Sequence, residues 1–276
     1  MIVSHSDNRF MSTTSQLQLG ALIRNSMLEL ILTCGLLFGV TTIVRFIVGA
    51  SPISRAFPQI HVQLFLVGAL VAVLLSLLIT SRAGKGSGGH MNPAISLAMW
   101  RFGVFPAVGI VPYIAAQLLG SILGVLAARA VWGRIVARPP VLYAVIQPAP
   151  DWSTAQLFAA ELIFMGLIVF IVGHFLSNPR LAPKVPWLVG ILIGLGIALL
   201  GTQSGGSLNP ARQFGPAVAS AHTAKLWVFL VAPMIGAELG AQLLRRLKPR
   251  QVLTHRLCGT HPDGARLNDF QMSDML

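Results

Sequence analysis

Two short segments of the chain carry nearly the same residues in the same order. Residues 88–94 read GGHMNPA and residues 205–211 read GGSLNPA, so each segment ends in Asn-Pro-Ala. Asparagine is a favoured N-cap, and proline in the first turn gives up no helical hydrogen bond, so each segment predicts the start of a helix. Such a start offers backbone N–H groups and an asparagine amide as hydrogen-bond donors. The two predicted starts are Asn92-Pro93-Ala94 and Asn209-Pro210-Ala211.

Each of these boxes is followed by room for only a short helix. About 15 Å of helix fits from Asn92 to Trp100 or from Asn209 to Val218, roughly half of the hydrocarbon core of a bilayer. If the half-helices enter from opposite faces, their N-termini meet at the midplane with roughly half a positive charge each. That centre would repel cations, accept neutral molecules, and orient water oxygen-first, which interrupts a proton-conducting chain. Non-helical backbone at that depth needs a protein or aqueous environment, so the boxes predict the central constriction of a pore.

Four further residues have polar side chains at informative places. Arg212 lies one turn after Asn209, and because an arginine near hydrocarbon costs from about 2.5 kcal/mol, it predicts a functional or paired group near the outer end of the path. Glu29 and Glu161 occupy matching places in two predicted spans, and we interpret them as structural carboxylates that accept hydrogen bonds from loop backbone, with proton relay as the alternative. His90 is expected to brace its own loop. No metal site is predicted there, since no second ligand stands at a ligand spacing.

The elements that must position these residues are membrane helices. Of 276 residues, 54% are hydrophobic and 10% are charged, against roughly a quarter charged in a soluble domain. The stretch between Arg101 and Arg129 contains no ionised side chain and is longer than the ~20 residues that a span requires. The net charge of +12 does not indicate nucleic acid, because the basic residues lie at span ends and in the tails. Apolar runs predict spans near residues 22–48, 60–81, 103–128, 153–176, 185–203 and 224–244.

The order of boxes and spans predicts an internal repeat. One box follows the second span and the other follows the fifth, so they approach from opposite sides and the halves have inverted orientation. We predict an all-α membrane protein with six transmembrane helices and two re-entrant half-helices in an inverted two-fold repeat. The expected parts are a tail at 1–21, a channel domain at 22–247 (repeats near 22–131 and 153–247) and a tail at 248–276. The excess of Lys and Arg on the tail side favours cytoplasmic termini. The C-terminal tail is expected to be solvated, with contact to anionic lipid as the alternative.

With these residues in place, the sequence resembles the aquaporin, or major intrinsic protein, family over about residues 22–247. Both boxes, the phrase NPARQFGP at 209–216, and the pattern of Tyr113, Gln117 and Gly120 carry the resemblance. It implies a passive channel and not an enzyme, with no cofactor, no metal and no energy coupling. It also implies a homotetramer with one pore in each subunit, embedded in the lipid of the plasma membrane. Gln117 is expected to be a structural support.

The resemblance extends to the narrowest ring of the family, which ungapped spacing places at Ala72, Ile197, Gly206 and Arg212. The aromatic and histidine side chains of water-selective members are replaced here by Ala72 and Ile197. Glycerol-conducting members usually carry an acidic residue where this chain has Gln213. The combination is similar to the wide filters of plant nodulin-like intrinsic proteins and to aquaglyceroporins, and it implies passage of water, glycerol, urea, and boric or arsenous acid.

Three other functions remain open at this stage. A water-selective channel with an atypical filter would have the same boxes. A coupled secondary transporter also uses inverted repeats with broken helices, although few ionisable groups lie inside the predicted spans to couple transport to ions. A structural or adhesion protein with a closed pore would have the same six spans.

Overall fold

The computed structural model describes residues 6–247 and 251–260, and it is helical almost throughout. Within those residues, six helices are long and apolar enough to cross a membrane, which confirms the predicted fold class. They are α1 (Ser6–Ile47), α2 (Ile60–Thr80), α4 (Ile110–Trp132), α5 (Thr154–Leu176), α6 (Val185–Leu200) and α8 (Leu226–Leu247). Two shorter helices, α3 (Pro93–Arg101) and α7 (Pro210–Ser220), follow the two Asn-Pro-Ala boxes.

The predicted spans differ from the observed helices mainly at two ends. The first was expected to begin near residue 22, but α1 begins at Ser6, and only the part from Gln18 onward has the composition of a span. Polar residues do not stop a helix when no proline or helix-ending glycine interrupts them. The third span was expected from residue 103, but α4 begins at Ile110 after a 3-10 turn, Ala107–Gly109. Pro106 restricts the residue before it to extended backbone and so separates α4 from the half-helix α3.

Glycines allow the spans to pack closely in pairs. In the α2–α6 pair, a Cβ atom added to Gly68 would lie 2.4 Å from the carbonyl oxygen of Gly194. In the α5–α8 pair, a Cβ atom added to Gly236 would lie 2.2 Å from the carbonyl oxygen of Leu162. Small residues at such crossings are the usual means by which membrane helices make extensive van der Waals contact.

The two halves of the chain interlock through the half-helices. Half-helix α7 packs against α4, and half-helix α3 packs against α8, so each half-helix contacts the last span of the other half. An ion pair between Arg101 Nε and Glu238 Oε1, 2.7 Å apart, joins α3 to α8. The hydroxyl of Ser121 on α4 donates to the carbonyl of Ala211 and accepts from the N–H of Gly215, which fixes α7. Neither half therefore forms its core alone.

The ends of the spans define two faces of the molecule. The start of α1, from Gln18 to Asn25, and His255 of the C-terminal segment line one groove, and we call this side the terminal face. The end of α1 and the loop from Pro139 to Gln147 line an opening on the opposite side, which we call the far face. The perimeter between the faces exposes large apolar side chains, as expected of a surface in contact with lipid or with other subunits.

The close helix crossings predict a specific stability effect. Gly236→Ala places a methyl group against the Leu162 carbonyl, and we expect it to cost about 1–3 kcal/mol and to lower Tm in detergent by several degrees. Gly20→Ala is the matched control, because no atom lies within 4 Å of the added Cβ. Thermal unfolding monitored by size-exclusion of purified protein measures both. Equal Tm values for the two variants would show that the α5–α8 crossing tolerates the methyl group.

Candidate functional site

The two boxes begin helices in the same way. Asn92 has extended backbone, and its Oδ1 accepts a hydrogen bond from the N–H of Ala94 at 2.9 Å. Asn209 also has extended backbone, and its Oδ1 accepts from the N–H groups of Ala211 at 2.9 Å and Arg212 at 3.3 Å. Pro93 and Pro210 occupy the first helical positions, as the sequence pattern predicts. Both half-helices therefore start at an asparagine cap.

The two asparagines also tie the half-helices together tip to tip. Nδ2 of Asn92 donates to the carbonyl of Leu208 at 3.0 Å, and Nδ2 of Asn209 donates to the carbonyl of Met91 at 2.9 Å. A carboxamide nitrogen has two N–H groups, and this exchange uses one from each residue. The second N–H of each asparagine is left for the cavity that both side chains line.

Glu29 holds the backbone that leads into the first box. Its Oε1 accepts from the hydroxyl of Ser87 at 2.6 Å and the N–H of His90 at 2.9 Å. Its Oε2 accepts from the N–H of Met91 at 2.6 Å and from Nε2 of Gln117 at 2.9 Å. The side chain is fully buried, so all four donors reach the carboxylate from protein groups. Glu29 thus binds the backbone before the first box, and Gln117 donates to Glu29.

Glu161 repeats this arrangement at the second box. Its Oε1 accepts from the hydroxyl of Ser204 and the N–H of Ser207, both at 3.1 Å, and its Oε2 accepts from the N–H of Leu208 at 2.7 Å. Met91 and Leu208 have left-handed backbone, with φ of 48° and 52°. That conformation costs roughly 1–2 kcal/mol for a residue with a side chain. The two carboxylates hold these residues in it, and so direct their carbonyls at the opposite asparagines.

His90 braces its loop and faces the terminal end of the path. Its Nε2 lies 3.1 Å from the carbonyl of His255, and because a carbonyl only accepts, Nε2 is the donor. Nδ1 then accepts from the hydroxyl of Ser96 at 3.0 Å, and Ser96 in turn accepts from Nε2 of Gln117 at 3.1 Å. Among residues 6–247 and 251–260, no group of three or more His, Cys, Asp or Glu side chains is placed to hold a metal ion.

A narrow cavity of about 40 Å³ runs past the asparagines. His90, Asn92, Ser207, Asn209 and Arg212 provide its polar groups. Most of the remaining wall is apolar and comes from α1, α2, α5 and α6; it includes Leu36, Val40, Val71, Leu75, Met165 and Ile193. Met91, Ile95 and Leu257 add apolar side chains from other parts of the chain. A solute in the cavity can therefore form hydrogen bonds on one side only, and on the other it meets side chains that offer none.

At the far face the path opens into a vestibule of about 570 Å³. Val40, Val71 and Arg212 line both the vestibule and the narrow cavity, so they stand at the junction between the two spaces. Ile197, one of the residues expected in the narrowest ring, also lines the vestibule. Gly206 lies behind this surface, since a Cβ atom added to it would be 2.5 Å from the carbonyl oxygen of Gly196. The glycine that lines the vestibule is Gly205.

The structure places Val71, and not Ala72, at the junction, which corrects the position that ungapped spacing gave. Val67, Val71 and Leu75 follow one stripe of α2 along the path. Ala72 lies on the neighbouring stripe, which packs on α6, and its carbonyl oxygen would be 2.4 Å from a Cβ atom added to Gly190. One residue turns a side chain by about 100° around a helix, so a register error of one residue moves it out of the lumen.

A loop from the far face completes the site, and the sequence reasoning did not find it. Nη1 of Arg212 donates to the carbonyl of Ala144 at 2.8 Å. Gln213 forms two hydrogen bonds with Ile146: its Oε1 accepts from the N–H at 3.0 Å and its Nε2 donates to the carbonyl at 2.8 Å. The one available signal was Gln213, noted as a departure from the expected acidic residue. Arg212 is thus oriented by a backbone carbonyl while it faces the path.

Comparison with known proteins gives consistent matches. The family model described as Major intrinsic protein matches residues 14–244. Aquaporin NIP3-1 of Oryza sativa subsp. japonica is 33% identical over 211 residues, which cover 76% of this chain and 66% of that protein. The probable aquaporin NIP7-1 of Arabidopsis thaliana is 34% identical, over 65% of this chain and 63% of that protein. The chain therefore spans less than two thirds of the length of these plant relatives.

Two further matches extend the comparison. The probable aquaporin AqpM of Archaeoglobus fulgidus is 34% identical over 189 residues, which cover 66% of this chain and 76% of that protein. The X-ray structure of the aquaglyceroporin from Plasmodium falciparum matches with a TM-score of 0.69 at 23% sequence identity. It covers 83% of this chain and 98% of that chain, so the two proteins share their fold.

The hydrogen bonds of the buried carboxylates predict that Glu161 and Glu238 respond unequally to loss of charge. Glu161→Gln replaces an acceptor oxygen by a donor amide facing backbone N–H groups, and we expect it to cost about 1–3 kcal/mol and to lower Tm measurably. Glu238→Gln is the control, because Glu238 is paired with Arg101 at a partly exposed site, where an ion pair contributes about 0–1 kcal/mol. Thermal unfolding in detergent compares the two. A smaller loss for Glu161→Gln than for Glu238→Gln would contradict the structural role.

Proposed function

Because the chain belongs to the major intrinsic protein family, we propose that it is a passive channel for water and small uncharged solutes, closed to ions and protons. Members of this family are membrane channels and not enzymes. The observation that carries the proposal is the pair of asparagines, each tied to the opposite box and each lining the cavity with an amide that has one N–H to spare.

The electrostatics of this centre favour neutral solutes. The N-termini of α3 and α7 meet there, and each contributes roughly half a positive charge to the midplane. Arg212 adds a full positive charge at the junction with the vestibule. A cation would lose its hydration shell beside three positive groups, whereas a neutral molecule can accept hydrogen bonds from the asparagines as it passes. A water molecule so held is oriented by its oxygen, which breaks the chain along which protons would hop.

The solute range follows from the side chains at the junction. Val71, Ile197 and Arg212 form the filter in this proposal, and the backbone near Gly206 closes the ring. No aromatic ring or imidazole is among them, so the junction has an aliphatic side, suited to the carbon skeleton of a polyol, and one charged donor. Glycerol, urea, and boric or arsenous acid fit this description. The relative named Aquaporin NIP3-1 supports the channel role by its name.

A solute panel tests the proposal against its alternatives. Purified protein in vesicles should raise the swelling rates in glycerol, urea and boric acid as well as the rate of water flow, measured by stopped-flow light scattering. Water flow without solute flow would identify a water-selective channel, which the small volume of the narrow cavity favours as the second candidate. Uptake that stops when ion gradients are dissipated would identify a coupled transporter instead.

The assembly and orientation form part of the same proposal. The apolar perimeter includes large exposed side chains on α4, such as Leu119, Leu123 and Leu126, which a neighbouring subunit or lipid has to cover. We expect a homotetramer with one path per subunit, in the plasma membrane, with the terminal face toward the cytoplasm. Native mass spectrometry of the detergent-solubilised protein gives the number of subunits.

The corrected filter position predicts a selective loss of flux. Val71→Trp should fill the junction and reduce glycerol flux about tenfold while reducing water flux far less, because water needs the smaller opening. Val73→Trp is the matched control, since Val73 lies on the same helix with 45% of its surface exposed, away from the path. Stopped-flow measurements on both variants give the two rates. Equal loss of glycerol and water flux in Val71→Trp would contradict a filter at this position.

A further inference from the structure

The C-terminal segment, residues 251–260, does not extend into solvent as the sequence reasoning expected. It folds back onto the terminal face, and Thr254, Leu257 and Cys258 are 2%, 1% and 7% exposed. Val252 and Leu257 belong to the same apolar core as the spans. Polar residues such as His255 and Arg256 interrupt the apolar ones, so the segment has no long apolar run from which this placement could be predicted. Residues 248–250 and 261–276 of the expected tail lie outside the described part of the chain.

The segment is attached to both halves of the molecule. The N–H of Leu253 donates to the carbonyl of Leu176 at the end of α5, at 3.1 Å, and the N–H of Leu257 donates to the carbonyl of Gly88, at 3.0 Å. Nε2 of His90 donates to the carbonyl of His255. Each bond satisfies a group on the wall of the mouth, so the segment fits this opening specifically.

Leu257 is the residue that reaches the lumen. It lines the narrow cavity together with His90 and Asn92, at the end opposite Arg212. Its apolar side chain stands where a solute leaving the asparagines would pass, and the His90 donor that could serve that solute is occupied by His255. An apolar constriction offers water no hydrogen bonds and gates by dewetting. In this conformation Leu257 stands in the path on the side of the terminal face.

The segment is shaped to move as one unit. The hydroxyl of Thr254 donates to the carbonyl of Thr260 at 2.9 Å and accepts from the N–H of Arg256 at 3.1 Å. The N–H of Gly259 donates to the carbonyl of Arg256 at 2.9 Å. These bonds close a compact turn around Leu257, and breaking the few bonds to the wall would leave the turn intact.

We propose that residues 251–260 are an autoinhibitory plug, with Leu257 as its lumenal residue, and that the pore conducts when the plug is displaced. The proposal rests on the proposed channel function. Displacement exposes the narrow cavity to the terminal face and frees Nε2 of His90 for a passing solute. The contacts to the wall are hydrogen bonds and apolar packing and include no covalent link, so the closed and open forms can interconvert.

A substitution at Gly259 is expected to displace the plug from the terminal face. Gly259 has φ of 70°, and a Cβ atom added to it would lie 2.2 Å from the carbonyl oxygen of Ala182. Gly259→Ala should therefore displace the plug and raise water permeability of vesicles at least roughly fivefold, the effect of about 1 kcal/mol on the closed form. Gly103→Ala is the matched control, because Gly103 also has positive φ, 81°, and no atom lies within 4 Å of the added Cβ.

Thiol labelling reports the position of the plug independently of flux. Cys258 is buried in the closed form, and with Cys34→Ala it is the one cysteine left in the chain. In detergent, a charged maleimide should label Cys258 slowly in the Cys34→Ala protein and in its Gly103→Ala variant, and at least fivefold faster in its Gly259→Ala variant. Faster labelling with unchanged flux would overturn the plug. Faster labelling of Cys258 with no flux in any variant would overturn the channel function. It would still show that residues 251–260 can be displaced. Equally slow labelling and unchanged flux in Gly259→Ala would show that the segment is a fixed part of the wall.

Leu257 itself has a separate test. Leu257→Ala removes the lumenal side chain and leaves the hydrogen bonds of the segment, so we expect higher water permeability with little change in the labelling rate of Cys258. Val252→Ala is the control: it truncates another buried side chain of the segment that does not line the cavity. An equal rise in flux for both variants would place the closure in the segment as a whole and refute the assignment of Leu257.

The plug also predicts a response to acid. Burial lowers the pKa of His255 to about 3, with His90 and Arg256 acting in the same direction and Glu29 opposing them; Tyr113 lines the adjoining groove. Once displaced, His255 regains a pKa of about 6.5. The closed form is thus fully stable above pH 6.5 and loses stability as the pH falls from 6.5 toward 3. Between pH 7.5 and 5.5 the open-to-closed ratio should rise about tenfold.

Water permeability measured at these two pH values checks this response. His255→Gln keeps the backbone carbonyl that His90 binds and removes the titrating ring, so its permeability should not vary with pH in this range. A flat profile in the unmodified protein would mean that His255 stays buried when the pore conducts, which contradicts displacement of the plug.

Discussion

Backbone N–H groups at the centre of a membrane must find partners inside the protein, and this requirement shapes the whole molecule. Two interrupted helices free such groups at His90, Met91, Ser207 and Leu208, and Glu29 and Glu161 accept from them. A carboxylate suits this position because each oxygen can accept more than one hydrogen bond, and bonds to a charged acceptor are stronger than neutral ones. The loops are thereby held in left-handed backbone, which directs two carbonyls at the opposite asparagines.

The same constraint separates the polar and apolar sides of the path. The polar groups come from the interrupted segments and from Arg212, whereas continuous helices have no free backbone groups and contribute only side chains such as Val40 and Ile193. A passing molecule is consequently bound from the polar side, and it meets no charged group on the apolar side. Weak, one-sided binding is compatible with rapid release, which a channel needs as much as it needs binding.

The sequence predicted those features whose signals are local. The repeated Gly-Gly-x-x-Asn-Pro-Ala pattern marked two helix starts, apolar length marked the spans, and matching places in the two halves identified Glu29 and Glu161. The sequence did not predict Val71, because counting from Asn92 does not show which residue of α2 faces the path, and a shift of one residue changes the face. The sequence did not predict the hydrogen bond from Arg212 to the carbonyl of Ala144, because every residue type has a backbone carbonyl. The sequence did not predict the burial of residues 251–260, because this burial depends on an opening formed by residues distant in the chain.

The C-terminal segment also breaks the equivalence of the two halves. The boxes, carboxylates and half-helices are duplicated, but the segment binds Leu176 of one half and Gly88 of the other, at one mouth only. A pore assembled from matching repeats would respond alike from either side of the membrane. Among the residues that the structure describes, the vestibule on the far face has no counterpart to Leu257. The proposed plug would therefore let the compartment bathing the termini alone control permeability, while concentration differences still decide which way solutes move.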